Sequence, residues 1–175
     1  ITQIKGRLLE KTPTYLVIDC NGIGYEVNIS LNTFSSLSSE ENIQLFTHLQ
    51  IREDAHILYG FFTAIERAVF RLLIGVSGIG TSTARTMLSS LTPSEIQEAI
   101  LAEDVPKIQG VKGIGLKTAQ RVIIELKDKI KTLYGIEEIP VMKSNTIKEE
   151  TLSALEVLGY CLLYTSPSPR DSSQS

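Results

Sequence analysis

A ten-residue, glycine-rich segment occurs twice in this chain, and it restricts the possible folds more than any other feature. Residues 75–84 read GVSGIGTSTA and residues 110–119 read GVKGIGLKTA, with seven of the ten positions identical. Each copy joins one apolar helical stretch to a second helical stretch. Glycine permits a positive φ and leaves room beside the backbone, while the N–H groups at the start of the second helix attract an anion. The repeat therefore predicts two helical hairpins that bind phosphate without reading a base.

Other uses of such a turn are less favoured. A single glycine-rich turn before a helix usually serves only to join two helices, but two copies in one basic segment favour binding. A nucleotide-binding P-loop needs Gly-Lys-Ser or Gly-Lys-Thr after its glycines, and a dinucleotide-binding turn needs a preceding strand. The two segments meet neither requirement, so we do not expect either to hold a nucleotide.

Charge is distributed unevenly along the chain. Residues 64–133 contain ten basic and seven acidic side chains, whereas residues 1–63 and residues 134–175 each have a net charge of −3. The duplicated turn therefore lies in the only net-positive segment, which indicates an anionic partner there. We expect no signal peptide and no membrane partner, because the apolar stretches are too short. Two distant cysteines, Cys20 and Cys161, predict free thiols in a reducing cytoplasm, with no metal site and no cofactor.

The first third of the chain is typical of β-strands. Residues 14–20 and 24–30 are rich in β-branched and aromatic residues around a turn, and residues 42–51 and 56–61 repeat this pattern around the tip Arg-Glu-Asp-Ala. With the N-terminal segment, this makes about five strands in 60 residues. The pattern predicts a small five-stranded barrel of the OB type, with an open sheet or an SH3-like barrel as alternatives.

Helical periodicity begins at Ala64. Apolar residues from Ile65 to Leu73 recur on one helical face, and residues 116–135 form a long amphipathic stretch. Between them, residues 91–104 are also predicted to be helical, because Thr92, Pro93 and Glu95 form the sequence pattern of a capping box.

The sequence therefore predicts a multi-domain α+β protein. We expect an OB-like barrel with an acidic tip at residues 1–63 and a tandem hairpin domain at residues 64–134. A flexible linker follows at residues 135–146, and one further helix at residues 147–160. Residues 161–175, which include five Ser and two Pro, are expected to be a disordered or non-native tail.

This arrangement resembles the RuvA family of bacterial Holliday-junction-binding subunits. The segments GRLLEKTPTYLVIDCNGIGYEV, FTHLQIREDAHILYGF and KGIGLKTAQRVIIELKD carry the resemblance, which extends over about residues 1–159. It implies a non-enzymatic protein that forms a homotetramer, or an octamer, and holds four-way junction DNA open during recombination and DNA repair. It also implies a hexameric ATPase partner, RuvB, which docks on the C-terminal helical region that begins at residues 147–160. The RuvC resolvase is a further implied partner.

The resemblance identifies the hairpins as helix-hairpin-helix motifs that grip the DNA backbone. Lys117 and Arg121 lie four residues apart and share a helix face. The first hairpin departs from the basic pattern, because Thr81 and Ser82 follow its glycines and can offer only neutral hydrogen bonds. The full set of expected backbone-binding residues is Gly78, Gly80, Thr81, Ser82, Arg85, Lys112, Gly113, Gly115, Lys117 and Arg121.

The tip residues Glu53 and Asp54 allow three interpretations. They can form an ordinary solvated turn, a catalytic or metal-binding pair, or, as the resemblance implies, an acidic pin that meets three others at the junction centre. Catalysis is disfavoured, because neighbouring strand residues point to opposite faces and no further ligand lies close in sequence. An exposed acidic pin repels a nearby phosphate by about 1 kcal/mol per close pair, which steers strands without preventing binding.

Two other functions are compatible with paired helical hairpins. A DNA repair enzyme, either a glycosylase or a nuclease, would need a catalytic acid or lysine after a hairpin, or clustered carboxylates. Asp104 and Asp128 are available but are not clustered in the sequence. A general scaffold would use the glycine turns only to connect helices, and it would not bind DNA through Lys117 and Arg121.

Overall fold

The computed structural model describes residues 1–37 and 41–135 of the 175-residue chain. These residues belong to one compact unit. The expected linker beyond residue 135, the helix expected at residues 147–160 and the tail at residues 161–175 lie outside the described residues.

The N-terminal part is a closed five-stranded barrel, as the sequence predicted. Around the barrel the strand order is β1-β2-β3-β5-β4, and every pairing is antiparallel except the one between β3 and β5. The strands are β1 (Gln3–Lys11), β2 (Tyr15–Cys20), β3 (Ile23–Ile29), β4 (Asn42–Ile51) and β5 (His56–Phe61). The closed barrel with this strand order confirms the OB-like prediction over the two alternatives, an open sheet and an SH3-like barrel.

Alternation along the strands fills the barrel. Leu16 and Ile18 of β2 are fully buried and face Val27 of β3 and Leu45 of β4 within one apolar cluster. Every second residue of a strand points to the same side, so a short apolar–polar alternation is enough to build this interior.

A short helix, α1 (Leu31–Ser36), follows β3 and was not predicted. The hydroxyl of Ser30 caps it by accepting a hydrogen bond from the Thr33 N–H. Six residues are too few to display helical periodicity, so only the cap could have indicated this helix.

The remainder of the described chain is helical. The helices are α2 (Ala64–Ile74), α3 (Thr81–Ser90), α4 (Pro93–Leu101), α5 (Val105–Gln109) and α6 (Leu116–Gly135). The predicted capping box is present at the start of α4, where the Thr92 and Glu95 side chains each accept from the other's backbone N–H.

The prediction of one helix through residue 104 is wrong at its C-terminal end. Helix α4 ends at Leu101, and Glu103 has a positive φ of 56°. The Asp104 carboxylate then accepts a hydrogen bond from the Lys107 N–H, 3.0 Å away, and caps the separate helix α5. The sequence contains this signal, because Asp104 precedes Pro106 in the first turn of a new helix.

The barrel and the helices share an apolar contact. The Phe70 ring of α2 lies 5.2 Å from the ring of Tyr59 and 4.8 Å from the ring of Phe61, both in β5. All three side chains are buried in one cluster with the helical core. Burial of each such side chain contributes roughly 1.5–3 kcal/mol, so this contact holds the helices on the barrel.

Candidate nucleic-acid interface

The two glycine-rich segments adopt the same turn. Gly78 has φ +94° and Gly113 has φ +91°, a region that side-chain-bearing residues rarely occupy. In the first turn the Ile79 N–H donates to the Val76 oxygen at 3.0 Å, and the corresponding bond in the second turn is 3.2 Å long. The repeat in sequence is therefore a repeat in structure.

The apolar residues of the repeat attach each turn to the core. The isoleucine between the glycines and the alanine that follows them are buried in both copies, as is the valine that opens each turn. These residues are Val76, Ile79 and Ala84 in the first copy, and Val111, Ile114 and Ala119 in the second. Because these side chains point inward, the glycines between them remain at the surface.

The backbone beside these glycines is open. A Cβ added to Gly80, Gly113 or Gly115 would meet no other atom within 4 Å. Gly80 is also the N-cap of α3, and it offers no side chain to satisfy the first N–H groups of that helix. An open backbone with free N–H donors at the positive end of a helix dipole is suited to an anion such as phosphate.

The two hairpins lie next to each other. A Cβ at Gly78 would stand 3.7 Å from the hydroxyl oxygen of Thr118 in α6. Arg121, also in α6, donates from Nη1 to the Ser77 main-chain oxygen at 3.2 Å. The second hairpin's helix therefore contacts the first hairpin's turn, and both turns belong to one surface.

The second hairpin carries the basic side chains of this surface. Lys112 and Lys117 are exposed. Across the described ranges 1–37 and 41–135, neither ammonium group is found in an ion pair. The Arg121 guanidinium is also exposed, and its Nε lies 3.8 Å from the Glu125 carboxylate. The second hairpin thus carries three cations, and two of them, Lys112 and Lys117, form no ion pair with any described residue.

The first hairpin has different surroundings. Arg85 of α3 donates from Nη1 to the Asn28 side-chain oxygen at 3.0 Å and to the Thr14 main-chain oxygen at 3.4 Å, so its guanidinium faces the barrel. The Thr81 hydroxyl is engaged by Gln50 and Tyr59 of the barrel. Ser82 is exposed. Phosphate binding by these three residues stays a prediction, and for Thr81 it would use the backbone N–H.

The acidic tip is an exposed turn between β4 and β5. The Arg52 N–H donates to the Ala55 oxygen at 2.9 Å and closes the turn, and Arg52 Nε lies 3.7 Å from the Asp54 carboxylate. Glu53 is exposed as well. In the part of the chain that the structure describes, no group of three or more His, Cys, Asp or Glu side chains could hold a metal ion.

Sequence reasoning did not connect three residues, Gln50, Tyr59 and Arg71, with the first hairpin. Gln50 and Tyr59 contact the first hairpin from positions 31 and 22 residues away, so no local pattern could have identified them. Arg71 lies in the last turn of α2, directly before the first hairpin, and is exposed. His48 lies in β4, and its pKa is lowered first by burial and next by the charge of Arg71, so Arg71 lies near that strand. The position of Arg71, four residues before Gly75, was the available signal.

None of the helices in the described residues is both long enough and apolar enough to cross a membrane.

Two family models match the chain: one described as RuvA N terminal domain over residues 1–60, and one described as SAM-like helix-hairpin-helix tandem over residues 70–128. They cover the barrel and the duplicated turns respectively.

Several relatives extend this similarity over most of the chain. A protein of Christiangramia forsetii is 62% identical over 160 residues, which cover 91% of this chain and 83% of the relative. A protein of Flavobacterium psychrophilum is 56% identical with the same coverage. One of Bacteroides fragilis is 48% identical over 169 residues, and the match covers 91% of this chain and 84% of the relative. Each is named Holliday junction branch migration complex subunit RuvA. With this identity over the barrel and both hairpins, the chain belongs to the RuvA family.

Proposed function

We propose that the chain binds four-way DNA junctions, without sequence specificity, as the DNA-binding subunit of a branch-migration complex. The single observation that carries this proposal is the pairing of two glycine turns of the same conformation on one surface, each with open backbone. Such turns contact phosphate and leave the bases unread. The relatives are named after the Holliday junction, and this name is the reason to propose a four-way junction as the DNA that is bound.

Affinity in this proposal comes mainly from the second hairpin. Lys112, Lys117 and Arg121 approach the phosphates, while backbone N–H groups beside Gly113 and Gly115 provide short-range hydrogen bonds. The first hairpin adds contacts from the backbone at Gly78 and Gly80. Binding by these groups releases counterions, so it weakens as the salt concentration rises.

The acidic tip would act at the crossover of the junction. In an assembly of four copies, Glu53 and Asp54 of each subunit meet the phosphates where the strands exchange, and their charge directs the strands into separate arms. Both side chains are exposed, and the Asp54 carboxylate also lies 3.7 Å from Arg52 Nε. A homotetramer or an octamer, the cytoplasmic location, and the division into functional domains at residues 1–63 and 64–134 are parts of this proposal.

Motor activity is assigned to a partner. The glycine turns lack the sequence of a nucleotide-binding loop, so ATP hydrolysis would belong to the RuvB hexamer, which would dock C-terminal to the described residues. RuvC is proposed as a further partner at the junction. A repair enzyme has less support, because the Asp104 carboxylate is occupied as the cap of α5.

Fluorescence anisotropy would test the function. The protein is titrated against a labelled four-way junction and a duplex of equal length at two salt concentrations. We expect tighter binding to the junction, and a decrease in affinity with salt for both forms. The double variant Lys112→Ala/Lys117→Ala should weaken binding to both, and should reduce the slope of log Kd against log salt by about two, because about 0.9 of a counterion is released per phosphate contact.

Lys129→Ala provides the matched control. Lys129 is exposed on the same helix, twelve residues and roughly 18 Å from Lys117 along the axis. It is compared with the single variants Lys112→Ala and Lys117→Ala, because each of the three removes one positive charge and only Lys129 lies away from the turn. Equal weak binding to junction and duplex by the unmodified protein would overturn the proposal, as would an effect of Lys129→Ala as large as that of a turn lysine.

A further inference from the structure

The two hairpins are equal in turn geometry but not in their attachment to the fold. Helix α6, after the second turn, packs against the helices α2, α4 and α5. Helix α3, after the first turn, packs against α2 and α1, and it is also hydrogen-bonded to the barrel at its first residue and at Arg85. Near its C-terminal end the Leu31 N–H donates to the Ser89 hydroxyl at 3.1 Å, and the Asn32 amide donates to the Leu91 oxygen at 3.1 Å.

The first residue of α3 makes the most specific of these contacts. The Tyr59 hydroxyl donates to Thr81 Oγ1 at 3.0 Å, and Thr81 Oγ1 donates in turn to the Gln50 side-chain oxygen at 2.9 Å. A threonine hydroxyl has one proton to donate and can accept another, so this arrangement uses both capacities. Tyr59 is 6% exposed, which places the first of these bonds at the edge of the core.

Gln50 and Tyr59 belong to the two strands that carry the acidic tip. Gln50 lies in β4 two residues before Arg52, and Tyr59 lies in β5 four residues after Ala55. Tyr59 pairs with His48, two residues from Gln50, so both side chains project from the same face of the sheet. The Thr81 hydroxyl therefore links both strands that carry the acidic tip to the start of α3, directly after Gly80 of the first turn.

We propose that Thr81 is a positioning residue that sets the acidic tip at a fixed distance and angle from the first phosphate-binding turn. The inference rests on the proposed function. A duplex engages only the hairpins, whereas a four-way junction must engage the hairpins and the tip at the same time. The hydrogen bonds among Tyr59, Thr81 and Gln50 thus contribute to the preference for junctions over duplexes, which explains why a neutral residue stands where a basic one would add affinity.

The test breaks the bridge without changing side-chain shape. Thr81→Val removes the hydroxyl and keeps the β-branch, and it removes no helix cap, because the N-cap is Gly80. Gln50→Met removes the acceptor. The ratio of duplex Kd to junction Kd should fall about fivefold in Gln50→Met, which loses one neutral hydrogen bond, and at least as much in Thr81→Val, which loses both bonds of the bridge. The two substitutions together should lower the ratio no further than Thr81→Val alone, because that variant already removes both bonds.

The effect of neutralising the acidic tip on junction affinity is a second measurement, and it reports on positioning specifically. In the unmodified background, Glu53→Gln/Asp54→Asn removes repulsion from phosphate and should tighten junction binding. With Thr81→Val present the tip is no longer held at the crossover, so the same neutralisation should have at most half of that effect. The matched control is Thr86→Val, on the same helix, whose hydroxyl donates only to the Ser82 oxygen of its own helix.

The outcomes distinguish failure of the proposed function from failure of the positioning role of Thr81. If the unmodified protein shows no junction preference, the proposed function fails. If it prefers junctions and Thr81→Val retains both the full preference and the full tip effect, only the positioning role is overturned. Thermal unfolding of each variant is measured in parallel. Tyr59→Phe, which removes one hydroxyl and leaves the ring in the core, replaces Thr81→Val should the latter lower the midpoint of unfolding.

Discussion

Arg121 of α6 donates a hydrogen bond to the main-chain oxygen of Ser77, a residue 44 positions earlier in the first glycine turn. This bond makes one side chain serve both hairpins. The Arg121 guanidinium is exposed at the surface where phosphate is proposed to bind. Its Nη1 also holds the first turn through the bond to Ser77. Arg121 is therefore expected to influence binding through its charge and also through the relative placement of the turns.

Substitutions at Arg121 should separate these two effects. Arg121→Ala loses the charge and the bond, so affinity for junction and duplex should fall about tenfold, and the salt slope should decrease by about one. Arg121→Lys keeps the charge but lacks the planar donor group, so it should retain the salt slope and recover only part of the affinity. Salt titrations of Kd measure both quantities. A lysine variant that binds as tightly as the unmodified protein would show that the Ser77 bond is not needed.

The first turn contains two glycines with different requirements. Gly78 has φ +94°, so Gly78→Ala should lower the free energy of unfolding by at least about 1 kcal/mol through backbone strain. Gly80 has φ −87° and open space around its Cβ position, so Gly80→Ala should cost less than about 1 kcal/mol in stability. Its methyl group would instead occupy the place proposed for a phosphate.

Urea unfolding and DNA titration together check this contrast. Gly80→Ala should weaken DNA binding severalfold while remaining folded, and each variant serves as the control for the other. The proposal that phosphate approaches the backbone at Gly80 would be contradicted by a stable Gly80→Ala protein with unchanged affinity.

A pH dependence of stability is expected from Glu66. This carboxyl is buried at the start of α2, and burial raises its pKa above the ordinary value, although hydrogen bonds from Ser30, Thr33 and the Phe62 N–H act in the opposite direction. Between the ordinary glutamate pKa, about 4.3, and the raised value, the folded protein holds a proton that the unfolded chain has released. Raising the pH through this window therefore reduces the free energy of unfolding.

The variant Glu66→Gln tests this expectation. It keeps the side-chain length and an acceptor oxygen but cannot ionise, so its stability should lack this contribution to the pH dependence. Urea unfolding of both proteins at intervals from pH 4 to pH 8 gives the comparison. The stability difference between the unmodified protein and Glu66→Gln should shift in favour of the glutamine as the pH rises. A difference independent of pH would show that Glu66 titrates alike in the folded and unfolded states.

Much of the architecture was predictable because its determinants are local. Alternating residues such as Leu16 and Ile18 indicated the strands, and Thr92 with Glu95 indicated the start of α4. The helices on either side of the first glycine turn, and α6 after the second, were predicted for the same reason. Short elements were not: α1 has too few residues to show a period, and the break between α4 and α5 depends on a single cap at Asp104.

The sequence by itself determined that two matching glycine turns exist, because each turn depends on glycines, buried isoleucines and helix starts within ten residues. Only the tertiary structure decided that the copies differ. Thr81 and Arg85 meet the barrel through residues 22 to 71 positions away, whereas Lys112 and Lys117 remain exposed. Such contacts depend on how the barrel closes and how α2 packs on β5, and no pattern within one segment contains that information.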